Sequence, residues 1–220
     1  MERIPEPDLM DDDDQAEAYH LADFSEPHNH FVTLFGQYFE AGSWQGPVLD
    51  LGCGTADVTL RFADVFDAVE IDGIDGAESM LRFGRAAISS RALGHRVRLS
   101  RAYLPLDDPP RSEYGAVISN SLLHHLQDPM ALWAAIKRVA MPGAPVLVMD
   151  LLRPADIGQV EQFVAKYAAD APELLRRDFR NSLRAAYRAT EVEAQLQEVG
   201  LSRLRVSVAS DRHLVVAGRA

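Results

Sequence analysis

The sequence predicts an α/β protein built on a mostly parallel seven-strand sheet, with helices on both faces and one reversed strand. Three observations carry this. Short apolar runs alternate with helix-period stripes from Val48 to Leu152. The first run, V-L-D-L at 48–51, leads through a glycine turn into a helix. The last two runs, L-R-V-S-V at 204–208 and L-V-V-A at 214–217, are joined so closely that they must be antiparallel.

At 220 residues, 47% hydrophobic and 25% charged, the chain reads as an ordinary globular protein. Such a length buries roughly 70% of the unfolded surface. No apolar run approaches the length of a bilayer span, and the acidic start M-E-R-I-P-E-P-D has no signal-like apolar core, so a cytoplasmic protein is expected. Cys53 is the lone cysteine, which excludes a disulfide framework and a multi-cysteine metal site. The net charge of −11 is concentrated near one end. Residues 1–26 hold ten acids and one base, and the other 194 residues hold 23 acids and 21 bases. A nearly neutral body lacks the basic face that nucleic acid requires, so no nucleic-acid or membrane partner is expected.

The run Asp11 to Asp14 reads as solvated charge at a helix N-terminus; consecutive carboxylates lack calcium-loop spacing, and no metal is expected. Residues 15–24 suit a short helix, and Ser25-Glu-Pro caps a second whose stripe is Phe31, Leu34, Phe35, Tyr38 and Phe39, with Gly42 closing it. The first strand is followed by a helix that Thr55 can cap, carrying Val58, Phe62 and Val65. A second strand is expected over 68–75, a helix over 77–88, short strands at 97–99 and 115–119, a helix over 129–140 and a strongly apolar strand over 145–152. Residues 153–189 break the alternation as one or two helices. T-E-V-E at 190–193 reads as a capping box for a last helix that Gly200 stops.

In an open sheet of this kind, ligands bind beyond the carboxyl ends of the strands. Asp50 to Gly54 end the first strand and Asp75 ends the second, a spacing that suits a ribose-binding acid. A dinucleotide fingerprint wants a third glycine where Asp57 stands, which weakens a nicotinamide reading.

V-L-D-L-G-C-G-T at 48–55, G-I-D-G-A-E-S-M-L at 73–81 and S-N-S-L-L-H-H-L-Q-D-P at 119–129 resemble class I S-adenosylmethionine-dependent methyltransferases, within them the small-molecule branch with a "methyltransferase 11/25" type core. The resemblance covers about residues 45–150 and implies a Rossmann-like, doubly wound fold whose final hairpin supplies the antiparallel last strand. It divides one domain into a helical arm (1–44), a cofactor-binding core (45–152), a helical lid (153–189) and a closing helix and strand pair (190–220). It implies S-adenosylmethionine as cofactor. Gly52, Cys53, Gly54 and Thr55 would lie along its methionyl part, Asp50 near the ammonium and Asp75 at the ribose. Gly76 and Met80 would lie beside the adenine, and Ser119 and Asn120 near the transferable methyl. Many relatives place an acid after the third strand; Leu99-Ser-Arg-Ala stands here, leaving Ser100 or main-chain groups as its substitute. Asp107-Asp-Pro-Pro is similar to the D-P-P-Y motif of amino-methylating nucleic acid enzymes but precedes the fourth strand, and is a decoy.

Methyl transfer from a sulfonium needs positioning and exclusion of water more than a dedicated base. Among Tyr19, His20, His124, His125 and Asp178, His124 and Tyr19 rank first as catalytic residues. Arg176, Arg180, Arg184 and Arg188 recur four apart, a slowly turning stripe. The reading favoured here pairs it with the acidic arm as a lid; alternatives are a solvated face or a grip on an anionic substrate. The expected function is methyl transfer to a small molecule, with a nicotinamide-dependent oxidoreductase or a non-catalytic cofactor-binding partner as competitors. No motif specifies the acceptor atom or the oligomeric state.

Overall fold

The computed structural model describes all residues except 7, 8, 10, 41 and 107. Seven strands form one sheet in the order β3-β2-β1-β4-β5-β7-β6. They are β1 (Val48–Leu51), β2 (Ile71–Asp75), β3 (Val97–Arg101), β4 (Ala116–Asn120), β5 (Pro145–Leu151), β6 (Arg205–Val208) and β7 (His213–Arg219). β1 pairs in parallel with β2 and β4, and β7 runs antiparallel to both β5 and β6. The chain reverses direction between β1 and β4, which opens the crevice at their carboxyl ends.

Strand alternation sends side chains to two cores. Leu49, Leu51, Val117, Val146 and Val148 pack with Trp133 and Ile136 of α5 (Met130–Val139) and Val192 and Leu196 of α8 (Ala189–Val199). Val48, Ile71, Ile118 and Leu147 pack with Phe31 and Phe35 of α2 (Ser25–Tyr38) and Phe62 of α3 (Asp57–Val65). Phe35 meets Phe62 edge-on at 4.8 Å, a favourable aromatic geometry. The remaining helices are α1 (Asp13–Leu21), α4 (Glu78–Ser90), α6 (Ile157–Tyr167) and α7 (Glu173–Ala185). No helix among the described residues is long and apolar enough to cross a membrane.

The differences from expectation lie at element ends. Thr55 does not cap α3; the chain turns once more through Ala56, held left-handed at φ 64°, before the helix starts. Ser25 is the first residue of α2, and Asp23 accepts its backbone N–H. α2 stops at Tyr38, so Gly42 belongs to the following turn. The capping box of α8 is set two residues early: the Glu191 side chain accepts the N–H of Arg188 at 2.9 Å. β2 begins at Ile71 instead of residue 68, because residues 67–68 are still in the turn that follows α3.

Candidate active site

Asp50, Asp75, Asn120 and Asp150 stand at or near the carboxyl ends of β1, β2, β4 and β5. Asp50 shares the α3-facing side of β1 with Val48, so its carboxylate meets Thr59 and accepts the hydroxyl at 2.6 Å. Burial pushes the Asp50 carboxyl up to about 7, against the Thr59 hydrogen bond, with the Asp75 charge adding to the rise. Gly52 turns at φ 74°, and a Cβ there would meet Leu122 at 2.9 Å; Gly54 turns at φ 53° with open space around it. That is the arrangement of a backbone left bare toward a ligand. Cys53 is buried among Gly73 and the two acids, and burial pushes its thiol well above the ordinary range, which makes it a turn filler.

Asp75 is fixed from both sides, its carboxylate accepting the N–H groups of Gly54 at 2.9 Å and Ala77 at 2.8 Å. Burial still leaves its pKa raised. Gly76 lies against Leu9 and Tyr103, whose atoms come within 2.9 Å of where a Cβ would stand. Met80 is buried beneath α1 with Ala16, next to Tyr19. Ser100 sits beside Ile74 in the β2–β3 register, one residue before Arg101, whose Nε–H donates to the Gly76 carbonyl at 3.0 Å. Ser119 donates to the Leu51 carbonyl at 2.8 Å, locking β4 to β1. Asn120 Oδ1 is buried without a hydrogen-bond partner, and Ser121 after it is left-handed at φ 57°. An orphaned acceptor beside a strained residue marks a site that a ligand completes.

The two first-ranked catalytic candidates have separate surroundings. Tyr19 lines a cavity of about 140 Å³ with His28, Thr55, Asp57 and Arg61. Burial, then the charges of Asp57 and Asp75, push its hydroxyl up to about 12. Asp57, the residue in the third-glycine position, accepts from Arg61 at 2.8 Å and lies 2.6 Å from His28 Nδ1. Burial opposes its ionisation, but the His28 and Arg61 contacts bring it down to about 2.

His124 is 2% exposed and its Nδ1 lies 2.7 Å from Asp150 Oδ1. Burial lowers the His124 pKa, yet the Asp150 charge and hydrogen bond outweigh it, and the net shift is upward. Glu6 Oε1 lies 3.7 Å from His124 Nε2 and 3.2 Å from His125 Nδ1. The ring of His20 stacks on Phe83, and Asp178 accepts from Gln15 at 2.8 Å, so neither candidate points at the histidine pair.

The N-terminal segment packs against the end of α7, but not by the expected charge pairing. Arg3 donates to the carbonyls of Ala185, His124 and Leu126 and lies over the Tyr187 ring at 4.1 Å. The Ile4 N–H donates to the Arg184 carbonyl, and Ser182 donates to Glu6. Arg180 pairs with Glu161, and Arg176 with Glu173. Among the described residues no acid of the arm pairs with the arginine stripe. The stripe also ends early, because α7 stops at Ala185 and Arg188 lies beyond it. Arg111, in the segment of the D-P-P decoy, pairs with Asp72 and Glu70 toward the amino end of β2, away from this crevice; Asp107 lies outside the described residues.

Sequence reasoning missed Glu6, Asp150, His28 and Tyr103, which reach the crevice from distant parts of the chain. Only Asp150 left a trace, as a lone carboxylate near the end of an apolar strand.

A family model described as a methyltransferase domain matches residues 48–143. A demethylmenaquinone methyltransferase of Anoxybacillus flavithermus is 28% identical over 120 residues, covering 54% of this chain and 50% of that protein. This chain thus spans about half the length of that curated relative. Among solved structures, a SAM dependent methyltransferase from Aquifex aeolicus aligns with TM-score 0.66 at 18% identity, covering 94% of this chain and 98% of that one. The cyclase SpnF aligns with TM-score 0.61 at 15% identity, covering 91% and 84%, so this architecture also carries a different named reaction. Matched segment, sheet order and fold neighbours agree: residues 48–143 match a methyltransferase domain, and the chain shares the fold of solved S-adenosylmethionine-dependent methyltransferases.

Proposed function

We propose that this chain moves a methyl group from S-adenosylmethionine to a small-molecule acceptor. The observation that carries the reading is Asp75, held by the Gly54 and Ala77 N–H groups with lone pairs left for two ribose hydroxyls. The open space at Gly54 and the orphaned Asn120 Oδ1 fit the same cofactor. Bound there, the cofactor supplies both the methyl group and the leaving thioether. Asp50 would face its ammonium, and Gly52, Cys53 and Thr55 would border the methionyl chain. Gly76, Met80 and Ser100 would line the adenine side, with Tyr103 as its aromatic neighbour. Ser119 and Asn120 would limit the space where the methyl is presented.

His124 would act at the acceptor. Asp150 holds Nδ1, which leaves Nε2 to accept a proton from an acceptor hydroxyl. Tyr19, with its hydroxyl pushed up to about 12, stays protonated at neutral pH and would position by donating a hydrogen bond. The likeness to a demethylmenaquinone methyltransferase makes ring-bearing acceptors the first class to test. Calorimetric titration with S-adenosylhomocysteine and with NAD is the primary experiment. Binding of the first, weakened at least tenfold by Asp75→Asn, is expected; binding of NAD alone would replace the reading with an oxidoreductase. Turnover unaffected by both His124→Ala and Tyr19→Phe would remove their assigned roles. The SpnF likeness keeps a second reading open, in which the cofactor binds and is not consumed.

A further inference from the structure

Glu6, His124 and His125 bring one carboxylate oxygen and two imidazole nitrogens within 4.8 Å of one another. We propose that these three residues bind one divalent first-row transition-metal ion, with Asp150 as the carboxylate that orients His124.

His124 is prepared as a ligand. Its Nδ1 is held at 2.7 Å by Asp150 Oδ1, which fixes the proton there and leaves the Nε2 lone pair free. Asp150 is itself immobilised, accepting the N–H groups of Leu123 at 2.7 Å and Leu151 at 2.8 Å. A carboxylate–histidine–metal relay has this construction. Nε2 stands 3.7 Å from Glu6 Oε1, too far for a hydrogen bond. His125 Nδ1 is buried with no aligned hydrogen bond, although Glu6 Oε1 is only 3.2 Å away. Two ligands at ~2.1 Å from one ion, separated by a tetrahedral or octahedral angle, stand roughly 3.0–3.4 Å apart. Of the two carboxylate–nitrogen separations, 3.2 Å lies inside that range and 3.7 Å above it, so side-chain adjustment must draw the three ligand atoms together to complete the set. Direct pairing, by contrast, leaves one nitrogen too distant and the other misaligned.

Charge favours the same ion. Glu6 and Asp150 contribute two negative charges in a setting where the Glu6 side chain is 12% exposed and the Asp150 side chain fully buried. A dication balances them with both imidazoles neutral. Arg3 approaches but is engaged by the carbonyls of His124, Leu126 and Ala185. Three protein ligands leave positions open, as in catalytic sites. A cavity of about 170 Å³ adjoins Glu6, lined also by Ile4, Pro5, Asn181 and Arg184, whose Nε is buried without a partner. An oxygen-bearing, anionic acceptor suits an open metal position beside that guanidinium. With the ion bound, His124 Nε2 is a ligand, and the base role given to it above belongs to the metal-free protein; placing the acceptor here rests on the proposed function, whereas metal binding itself does not.

The test uses the full chain, freed of metal by chelation, titrated with Co²⁺ and followed by its visible d–d absorption. Saturation at one equivalent, displacement by Zn²⁺, and at least tenfold weaker binding in both Glu6→Gln and His125→Gln are expected. Asp150→Asn should weaken binding by about 10–100-fold. Circular dichroism of each variant separates loss of ligand from loss of fold, and His125, part-exposed, gives the safer substitution. Absence of one-equivalent binding would overturn the proposal. Equal affinity in wild type, Glu6→Gln and His125→Gln would do so too, and would leave Glu6 as a metal-free latch for the arm. Cobalt binding without S-adenosylhomocysteine binding would sink the methyltransferase reading and leave the metal site standing.

Discussion

Binding of S-adenosylhomocysteine should release a proton from Asp50, and its affinity should fall as the solution is acidified. In the free protein, burial holds the Asp50 carboxyl at about 7, with Thr59 its hydrogen-bond partner. A ligand ammonium within ~4–6 Å favours the carboxylate and lowers its pKa by roughly 1–3 units. Taking a value near the middle, about 2, the free protein is ~90% protonated at Asp50 near pH 6 and the complex ~10%, a release of roughly 0.8 proton. The sign follows from linkage: the free state binds more protons than the complex between the two pKa values, so affinity rises with pH across that window. From near pH 8 to near pH 6 the dissociation constant should increase roughly tenfold. Calorimetry in two buffers of different ionisation heat reads the released proton directly. Equal heats in the two buffers near pH 6 would refute the placement of the ammonium beside Asp50. So would an undiminished release in Asp50→Asn.

Gly54→Ala places a side chain in open space at φ 53°, so stability should fall by only about 1–2 kcal/mol, while S-adenosylhomocysteine affinity drops at least tenfold; comparing melting with calorimetry separates the two. Gly115→Ala should not accumulate as folded protein, since its Cβ would stand 1.8 Å from the Gln45 carbonyl oxygen, a backbone atom; soluble expression with a wild-type melting point would contradict this. Burial, aided by Arg212, lowers His213 to about 4, so the unfolded chain binds the extra proton between about pH 4 and 6.5 and stability is lost as the pH falls through that interval. His213→Gln should flatten that loss, worth at most ~3 kcal/mol, in urea melts taken across the interval. Protection of residues 1–11 from protease should change little between low and high salt, because Arg3 is fastened to carbonyls and Glu6 lies largely buried; a steep decline with salt would restore the charge-paired lid.

What the sequence could reveal followed from distance along the chain. The glycine turn and Asp75 are legible because β1, α3 and β2 are consecutive, and their spacing alone places both acids at one edge. The mostly parallel sheet with one reversed strand followed from the alternating pattern and the short final link, whereas the strand order came only with the family resemblance. Thr55 misled because a single left-handed residue, Ala56, postpones the helix, and no local propensity favours alanine there. The arginine stripe misled because period four was extended past Ala185, where α7 ends and the chain extends. Glu6 meeting His124 and His125 was out of reach: the arm and the 3-10 turn after β4 lie more than a hundred positions apart. Nothing in the acidic residues 1–26 distinguishes Glu6 from its neighbours.

The arm connects the two sides of the crevice. Leu9 lies against Gly76, Asp11 accepts the Ser79 N–H at 3.0 Å, and α1 lays Tyr19 beside Thr55 and Asp57. Five residues before Asp11, Glu6 stands among the histidines. On the proposed placement, a cofactor beside Gly76 would displace Leu9 or slide beneath it, and an acceptor at His124 would pass Glu6. Both movements act on one continuous segment fastened by Arg3. If the competent state is the arm-open one, its fractional population multiplies, and so lowers, the intrinsic affinity of both ligands alike. Whichever ligand enters first then bears the cost of opening, and the second binds more tightly. Positive coupling between cofactor and acceptor would thus follow from connectivity alone, without any contact between the two ligands.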